Sequence, residues 1–363
     1  MAPVEMNRLF GGIYSGKKIL ITGNTGFKGS WLAYWLHRMG GQVYGYSISV
    51  PTNPSHFRLL NTDHPTVFGD ILDTENLKKI VTEFRPEIVF HMAAQSLVRE
   101  SYVNPLLTYQ TNCIGTLNVL QASRSVDSVR ALVNITTDKV YEYRETVNGY
   151  TENDPLGGHD PYSSSKACAE ILTASFRKSF LMDSGYLLAS VRAGNVIGGG
   201  DWANDRLIPD LVTAAFENKE TAIRYPDSIR PWQHVLEPLS GYLLLGQRLL
   251  EGERKFSCAW NFGPSLEDSC TVREVLNKSV KEWPAIRWKE DPAEKLYESP
   301  ALLLNSGAAS MKLHWKPVWN LQAAIQRTIS WYRSFYEKGV VLTSDDLEAY
   351  ISQAKSQQFV WCQ

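Results

Sequence analysis

Residues 18–29 read KILITGNTGFKG, and the prediction of the fold starts from this stretch. Its apolar first part, Lys18–Thr22, predicts a buried strand, and a helix is predicted over Gly29–Met39. Between them glycine recurs at every third position, at Gly23, Gly26 and Gly29. Glycine permits a tight turn and lets backbone N–H groups approach a phosphate at the positive end of a helix. The stretch therefore predicts a strand–turn–helix unit that binds a dinucleotide.

Outward from this unit, short apolar runs alternate with amphipathic stretches through the first half of the chain. Further strands are predicted over Gln42–Tyr46, Ile88–Met92, Ala131–Thr136 and Tyr186–Arg192. Further helices are predicted over Thr74–Phe84, opened by a Thr cap, and over Leu106–Ser123 and Pro161–Phe180. Strands rich in Ile, Val and Leu with helices between them indicate a parallel sheet covered on both faces. The predicted fold class is α/β, a Rossmann-type doubly wound parallel sheet with a smaller C-terminal substrate-binding lobe.

From about Gly194 the alternation gives way to short helices and connectors rich in Gly, Pro and Trp. We predict a dinucleotide-binding domain over residues 17–192, with segments that return to it near 233–256. An interleaved substrate domain is predicted over 193–330, and a C-terminal tail over 331–363. Ligands of such sheets lie beyond the carboxyl ends of the strands, so functional residues are expected just after each strand.

The composition is that of a globular protein and disfavours several classes. Of 363 residues, 44% are hydrophobic and 21% charged, and 37 Lys and Arg balance 38 Asp and Glu. A net charge of −1 gives no field for holding nucleic acid or an anionic membrane, and no apolar run is long enough to span a bilayer. Met1–Gly16 lacks the apolar core of a signal peptide and is interpreted as a polar lead-in. A cytoplasmic protein without nucleic-acid or membrane partners is expected.

The cysteines are scattered, odd in number and never at Cys-x-x-Cys spacing: Cys113, Cys168, Cys258, Cys270 and Cys362. A disulfide framework or a zinc site would need paired or clustered cysteines. We predict buried, reduced thiols and no metal site.

The end of the second predicted strand, Tyr44-Gly45-Tyr46-Ser47, leaves the choice of dinucleotide open. An Asp or Glu there usually binds the adenosine ribose of NAD, and a nearby Arg accommodates the 2′-phosphate of NADP. Neither residue is present at this strand end. Asp70 and Ile71, after the third strand, could hold the adenine, although an Asp at a strand end is also ordinary.

A tyrosine and a lysine lie one turn apart at the start of the long predicted helix. Asp160 caps this helix, Pro161 occupies its first turn, and Tyr162 and Lys166 at i and i+4 share one face. An adjacent ammonium is expected to lower the pKa of the phenol, which could then take a proton from an alcohol. Tyr14 and Lys18 show the same spacing, but they run into the first strand, where it has no such meaning.

The strand over Ala131–Thr136 is followed by Thr137, Asp138 and Lys139, which place a hydroxyl, a carboxyl and an amine at an expected active-site position. Thr137 could bond a substrate hydroxyl beside Tyr162, and Asp138 with Lys139 would form an acid–base pair. Taken alone, this segment could equally be a capped loop whose charges are solvated. Together with the Tyr–Lys helix and the glycine turn, the segment indicates a catalytic role.

These residues together resemble the extended short-chain dehydrogenases that act on nucleotide sugars, and the resemblance covers roughly Lys18–Leu313. The Thr-Asp-Lys segment is similar to the sugar-nucleotide 4,6-dehydratases, whose other members carry Glu where Lys139 stands. Residues 160–166 (DPYSSSK), 192–202 (RAGNVIGGGDW) and 229–235 (IRPWQHV) are similar to the group of these enzymes that uses CDP-glucose. The nucleotide base is inferred from this resemblance alone.

The resemblance implies NAD as cofactor and an internal redox cycle that converts CDP-glucose to CDP-4-keto-6-deoxyglucose and water. Tyr162, assisted by Thr137, would take the C4 hydroxyl proton as hydride leaves C4. Asp138 would protonate the departing C6 hydroxyl. Lys139 stands where the C5 base is expected; a neutral amine would be that base, whereas an ammonium would only stabilise the enolate, and both stay open.

Further contacts are implied by the same resemblance. Cofactor contacts are implied for Gly23, Thr25, Gly26, Phe27, Lys28, Gly29, Asp70, Ile71, Ala93, Ala94, Asn112, Tyr162 and Lys166. Contacts to the nucleotide sugar are implied for Gln95, Ser96, Arg99, Asn195, Arg206, Leu207 and Arg230. The two last arginines suit a diphosphate because guanidinium groups bind phosphates bidentately, although a single Arg is more often a surface charge.

Three other interpretations compete with a dehydratase for CDP-glucose. A dehydratase for another nucleotide shares every motif, whereas a 4-epimerase needs no acid–base pair and is disfavoured by Asp138 and Lys139. A non-catalytic dinucleotide sensor could discard Tyr162 and Lys166, so their presence argues against it. By analogy, the helices over Leu106–Ser123 and Pro161–Phe180 could pair two copies, giving a homodimer or a dimer of dimers.

Overall fold

The computed structural model describes residues 6–291 and 301–362. The strands are β1 Lys18–Thr22, β2 Gln42–Ser47, β3 Thr66–Phe68, β4 Ile88–His91, β5 Ala131–Ile135, β6 Leu187–Ala193, β7 Val196–Ile197, β8 Glu220–Ile223, β9 Ile229–Arg230, β10 Gln233–His234, β11 Ala259–Phe262, β12 Cys270–Thr271 and β13 Arg287–Glu290. The helices are α1 Phe27–Arg38, α2 His56–Leu60, α3 Thr74–Phe84, α4 Val98–Val103, α5 Pro105–Tyr109, α6 Gly115–Arg124, α7 Pro161–Phe180, α8 Leu207–Phe216, α9 Leu236–Leu250, α10 Val272–Glu282, α11 Leu321–Lys338 and α12 Thr343–Ser356.

Seven of these strands form one parallel sheet in the order β11-β6-β5-β4-β1-β2-β3. The order runs outward in opposite directions from β1 and β4, so a crevice opens between their carboxyl ends. The predicted fold class, a Rossmann-type doubly wound sheet, is confirmed.

Helices cover both faces of the sheet because its strands bury alternate side chains on opposite sides. Ile21 and Phe90 belong to a core shared with α1, α9 and α12, while Leu20 and Val89 pack into a second core with α3, α6 and α7. The sheet is therefore held between two packed cores, one on each face.

Most predicted elements lie within two residues of their observed bounds, with local exceptions. α3 is capped by Asp73, whose side chain accepts from the Asn76 N–H at 3.1 Å, rather than by Thr74. The helix predicted over Leu106–Ser123 is α5 and α6 joined by a π turn at Gln110–Ile114.

A smaller lobe is built around α8, α10 and α11, with β8 and β13 paired beside them. Its core contains Ile208, Val275 and Ile325, which belong to these three helices. The division of the chain into domains at residues 192 and 330 stays a prediction, and residues 292–300 lie outside the described residues.

The segment 331–363, expected as a tail, contributes to the main core as far as it is described. Tyr350 on α12 and Trp361 are fully buried, and the Trp361 ring stacks on Phe10 with centroids 5.2 Å apart. The prediction of a polar lead-in is likewise wrong within residues 6–16, because Phe10 and Tyr14 are buried. Residues 1–5 and 363 lie outside the described residues.

Other sequence expectations concern cysteines, metals and membranes. All five cysteines are free, but Cys168 is exposed and the others are half-buried, so the prediction of buried thiols is wrong. Within the described residues there is no cluster of His, Cys, Asp or Glu suited to a metal ion. No helix among them is both long and apolar enough to cross a bilayer.

Candidate active site

A cavity of about 890 Å³ lies between the carboxyl ends of the sheet strands and the smaller lobe. Its wall includes residues that directly follow β1, β3, β4, β5 and β6. The volume is near the upper end of ordinary ligand pockets, which suits a large ligand or two adjacent ones.

The structure brings nearly all predicted site residues to this wall. Those predicted to contact the cofactor are Gly23, Thr25, Gly26, Phe27, Lys28, Gly29, Asp70, Ile71, Ala93, Ala94, Tyr162 and Lys166. Those predicted to contact the sugar nucleotide or to act in catalysis are Gln95, Ser96, Arg99, Thr137, Asp138, Lys139, Asn195, Arg206, Leu207 and Arg230.

The glycine turn is packed too tightly for any side chain at two of its positions. A Cβ on Gly23, whose φ is +76°, would meet the Ala93 nitrogen at 2.7 Å, and a Cβ on Gly29 would meet the Gly23 oxygen at 2.1 Å. The N-cap of α1 is Gly26, which has no side chain to bond the first N–H groups of the helix. This uncapped end lines the cavity and fits a diphosphate group.

The end of β2 carries hydroxyls in place of the usual acid. The Ser47 hydroxyl donates to the Asn24 Oδ1 at 2.8 Å and accepts from the Thr25 N–H at 3.3 Å. Asp70 Oδ1 accepts from the Leu72 N–H at 2.9 Å, so this carboxylate also shapes its own turn. The end of β2, where the adenosine ribose of a dinucleotide would lie, therefore offers no charged side chain.

Asn112 is the predicted cofactor residue that the structure does not bring to the wall. Its side chain is buried in the π turn, where Oδ1 accepts from the Gln95 N–H at 2.9 Å and Nδ2 donates to Ser165 Oγ at 2.9 Å. Gln95 is also engaged, since its amide donates to Thr108 at 2.9 Å. Both residues hold the loop after β4 in shape, because their polar atoms are already bonded within the protein.

Tyr162, Thr137 and Asp138 form a connected, buried group at the floor of the cavity. The Thr137 hydroxyl donates to Asp138 Oδ1 at 3.1 Å, and the Tyr162 phenol lies near enough for both side chains to affect its pKa. Tyr162 is only 8% exposed, and burial raises the pKa of its phenol to about 12. We expected Lys166 to lower the pKa of Tyr162. The pKa is raised instead, because burial outweighs the nearby positive charges.

Lys166 is oriented by the end of β5. Its Nζ donates to the Ile135 carbonyl at 3.1 Å, and burial together with the neighbouring Lys28 lowers its pKa to about 8. At neutral pH Lys166 is therefore mostly charged, but a small rise in pH would neutralise it.

Asp138 is suited to act as an acid. It is 2% exposed, and burial raises the pKa of its carboxyl against the opposing effect of Lys139. Among the described residues Oδ2 is buried without a hydrogen-bond partner, so the carboxyl is not fully bonded within the protein. Lys139 lines the same wall beside it.

A buried ion pair, which the sequence analysis missed, supports this floor. Glu170 and Arg192 meet at 3.0 Å with both side chains 3% exposed, and Thr136 donates to Glu170 at 2.6 Å. The pair fixes the carboxyl ends of β5 and β6. A glutamate four residues after Lys166 on the buried side of the helix was the available signal.

Cationic side chains also line the cavity, and some lie close enough to the floor to affect the pKa values of Tyr162 and Asp138. Arg206 donates to Asp201 at 3.0 Å and to Ser96 at 3.2 Å, and Arg230 is 3% exposed. Burial and the charge of Arg206 lower the pKa of Lys28 to about 8. Arg99 at the rim is paired with Asp205 at 2.8 Å. This concentration of positive charge favours a phosphorylated ligand.

The far wall was also missed. Residues 221–225, at and after β8, also line the cavity, and Arg224 and Tyr225 are among them. The available signal was a polar pair directly after a short strand-like run. Leu207 and Trp232 also line the cavity.

The fold and the cavity define an α/β protein whose Tyr–Thr–Asp group can move protons beside a site for a dinucleotide and a phosphorylated ligand. Residues 20–328 match the family model described as GDP-mannose 4,6 dehydratase, and the chain belongs to this family.

Two relatives with known names are similar to this chain over most of its length. The chain is 48% identical over 349 residues to the CDP-glucose 4,6-dehydratase of Salmonella typhimurium (strain LT2), covering 93% of this chain and 97% of that protein. It is 25% identical to the dTDP-glucose 4,6-dehydratase of the same strain, over 87% of this chain and 92% of that one.

A solved structure shares the fold. The dTDP-glucose 4,6-dehydratase from Bacillus anthracis str. Ames, in complex with NAD, superposes with a TM-score of 0.74. Its identity to this chain is 23%, over 88% of this chain and 97% of that one.

Proposed function

We propose that this protein is a CDP-glucose 4,6-dehydratase, which uses NAD to convert CDP-glucose to CDP-4-keto-6-deoxyglucose and water. The observation that carries the proposal is 48% identity to a CDP-glucose 4,6-dehydratase over 93% of the chain. The buried group of Tyr162, Thr137 and Asp138 supports it, because it supplies a base for oxidation and an acid for loss of water.

The glycine turn and the uncapped start of α1 would hold the diphosphate of NAD, with Ala93, Ala94 and Ile71 along the cleft. When bound, NAD would accept a hydride from C4 and return it at C6, and its cationic nicotinamide would favour the Tyr162 phenolate. The solved relative that contains NAD has the same fold.

The first step that the chain's own residues perform is removal of the C4 hydroxyl proton. Tyr162 would take this proton, and Thr137, whose side chain lies near the phenol, would orient it. Lys166 would favour the anionic form while it carries its charge. Oxidation at C4 leaves a ketone, which acidifies the proton on C5.

The second step is loss of water across C5 and C6. Asp138, whose pKa is raised by burial, would donate its proton to the departing C6 oxygen. Lys139 would remove the C5 proton as a neutral amine, or stabilise the resulting enolate as an ammonium. An epimerase needs neither group, so a buried Asp138 with a raised pKa on the cavity floor favours the dehydratase.

We further propose that two copies pair through the helices around residues 98–124 and α7. Large apolar side chains are exposed there, including Val103 at 73%, Leu106 at 71% and Ile171 at 57%. Contiguous exposed apolar surface is typical of an interface. The cytoplasmic location stays a prediction from the sequence.

The testing experiment incubates the protein with NAD and, separately, with the glucose esters of CDP, dTDP, UDP and GDP. We expect a 4-keto-6-deoxy sugar nucleotide from CDP-glucose and none from the others, measured by mass spectrometry and by the ultraviolet absorbance of the keto sugar. Formation of a 4-epimer without loss of water, or product from another nucleotide alone, would contradict the proposal.

A further inference from the structure

The segment from Gly198 to Trp202 is held in one position by the buried core. The Gly199 carbonyl accepts from the Trp31 indole N–H at 2.8 Å, and a Cβ on Gly199 would meet the Trp331 ring at 2.1 Å. Trp202 donates to the Tyr336 hydroxyl at 3.1 Å. The segment therefore has little freedom to move relative to α11.

Tyr332 on α11 binds the backbone of Asp201 at both its N–H and its carbonyl group. Its hydroxyl accepts from the Asp201 N–H at 2.8 Å and donates to the Asp201 carbonyl at 2.6 Å. Tyr332 is fully buried, so water does not compete for these hydrogen bonds.

The carboxylate of Asp201 then orients Arg206. Asp201 Oδ2 accepts from Arg206 Nη1 at 3.0 Å, and its Oδ1 accepts from the Ala203 N–H at 3.0 Å. The Asp201 side chain is 7% exposed and that of Arg206 32%, so a buried anion holds a cation that reaches into the cavity. Arg206 Nη2 also donates to Ser96 Oγ, and the guanidinium keeps further N–H donors for a ligand.

We propose that Asp201 and Tyr332 are positioning residues that hold the Arg206 guanidinium in the orientation needed to bind the diphosphate of the substrate. The inference rests on the proposed function, because it requires a nucleoside diphosphate sugar as ligand. Its physical basis is preorganisation: an arginine already fixed by a buried partner loses less rotamer freedom on binding.

The test compares the affinities of CDP and cytidine by calorimetry and competition, for the wild type, Asp201→Asn, Arg206→Met and the double variant. Asp201→Asn keeps the size of the side chain but removes its charge. We expect the Kd of CDP to rise about tenfold and that of cytidine to stay within about twofold, since the lost contact serves the phosphates. In the Arg206→Met background the same substitution should cause no further loss. The KM for CDP-glucose should rise with little change in kcat.

Tyr332→Phe provides a second variant that keeps the ring in the core, and it should weaken CDP binding in the same selective way. Tyr350→Phe is the control, because it removes an equally buried hydroxyl of the C-terminal segment that bonds Glu237 at 2.8 Å. Its CDP affinity should equal that of the wild type.

Equal losses for CDP and cytidine, or a loss that persists without Arg206, would overturn the inference and leave the proposed function intact. Failure of the wild type to bind CDP would overturn the proposed function itself.

Discussion

At the scale of single residues, burial decides the charge of each group in the cavity. Burial raises the pKa of Tyr162 to about 12 and that of Asp138 in the same direction, while it lowers the pKa of Lys166 to about 8. All three groups are therefore closer to neutral than they would be in water. Groups shifted in this way can exchange protons with a ligand more readily than they would in water.

Tyr162→Phe tests the proposed base. We expect kcat to fall by about 10²- to 10⁴-fold, the usual contribution of a positioned general base, while CDP binding stays near that of the wild type. Turnover is measured as formation of the keto sugar, and binding by calorimetry.

Tyr14→Phe is the matched control for this substitution. Tyr14 stands four residues before Lys18, as Tyr162 stands before Lys166, but its buried hydroxyl donates to the Leu243 carbonyl in the core. Its loss should reduce stability and leave kcat unchanged. A Tyr162→Phe enzyme with near-normal turnover would remove the phenol from the mechanism.

Which residues could be found from the sequence depended on how local their signal is. Tyr162 and Lys166 lie one turn apart behind an Asp-Pro helix start, so their shared face follows from helix geometry. Glu170 lies on α7, and its role depends on Arg192, which lies on β6 and is distant in the sequence. Asn112 was assigned by resemblance, and its burial behind the loop depends on packing that no local pattern records.

At the scale of elements, the turn between β1 and α1 is the part of the site with the least tolerance. Gly29→Ala would push a Cβ into the Gly23 oxygen, 2.1 Å away, and so displace the N-terminus of the helix. We expect NAD affinity to fall about tenfold or more, since ~1.4 kcal/mol of lost contact energy already has this effect.

The measurement is titration of NAD by fluorescence, with Gly185→Ala as control. A Cβ on Gly185 would meet nothing within 4 Å, so this variant should bind NAD normally. Normal NAD affinity of Gly29→Ala would show that the turn does not hold the cofactor.

Elements with local signals were predicted well, and those that depend on distant partners were not. The bounds of α7 follow from the Asp160 cap, whose side chain accepts from the Ser163 N–H at 2.9 Å. The π turn at Gln110–Ile114 inserts one extra residue per turn into an otherwise helical pattern, which periodicity does not reveal. In the described part of the chain β8 pairs with β13, more than sixty residues away, so its place in the wall was missed.

At the scale of the whole molecule, the C-terminal segment closes the core instead of trailing from it. Glu237 on α9 accepts from the Trp319 N–H at 2.8 Å, from the Val318 N–H at 2.9 Å and from Tyr350 on α12 at 2.8 Å. These contacts join residues about 80 to 110 positions apart, so no local sequence pattern reveals them. The same buried carboxylate links the stability of the fold to pH.

Two sets of buried groups act on this stability with opposite sign. Burial lowers the pKa of four histidines from 6.5 to about 3 or 4; they are His56, His64, His91 and His234. The unfolded chain takes up protons on them below pH 6.5 that the folded chain does not, so acid reduces stability. Burial raises the pKa of Glu237 and Asp346 to about 7, so the folded chain takes up protons first and acid adds stability down to about pH 4.5.

We therefore expect the Tm of the wild type to fall slowly between about pH 7 and pH 5, where the two carboxyls offset part of the effect of the four histidines, and to fall steeply below about pH 4.5, where that offset ends. Glu237→Gln removes one opposing carboxyl, so its Tm should fall faster than that of the wild type between about pH 7 and pH 5. Differential scanning calorimetry across this pH range at constant ionic strength makes the comparison. A wild-type Tm that rises steadily down to pH 4, or identical profiles for the two proteins, would show that these buried groups do not govern the pH dependence of the fold.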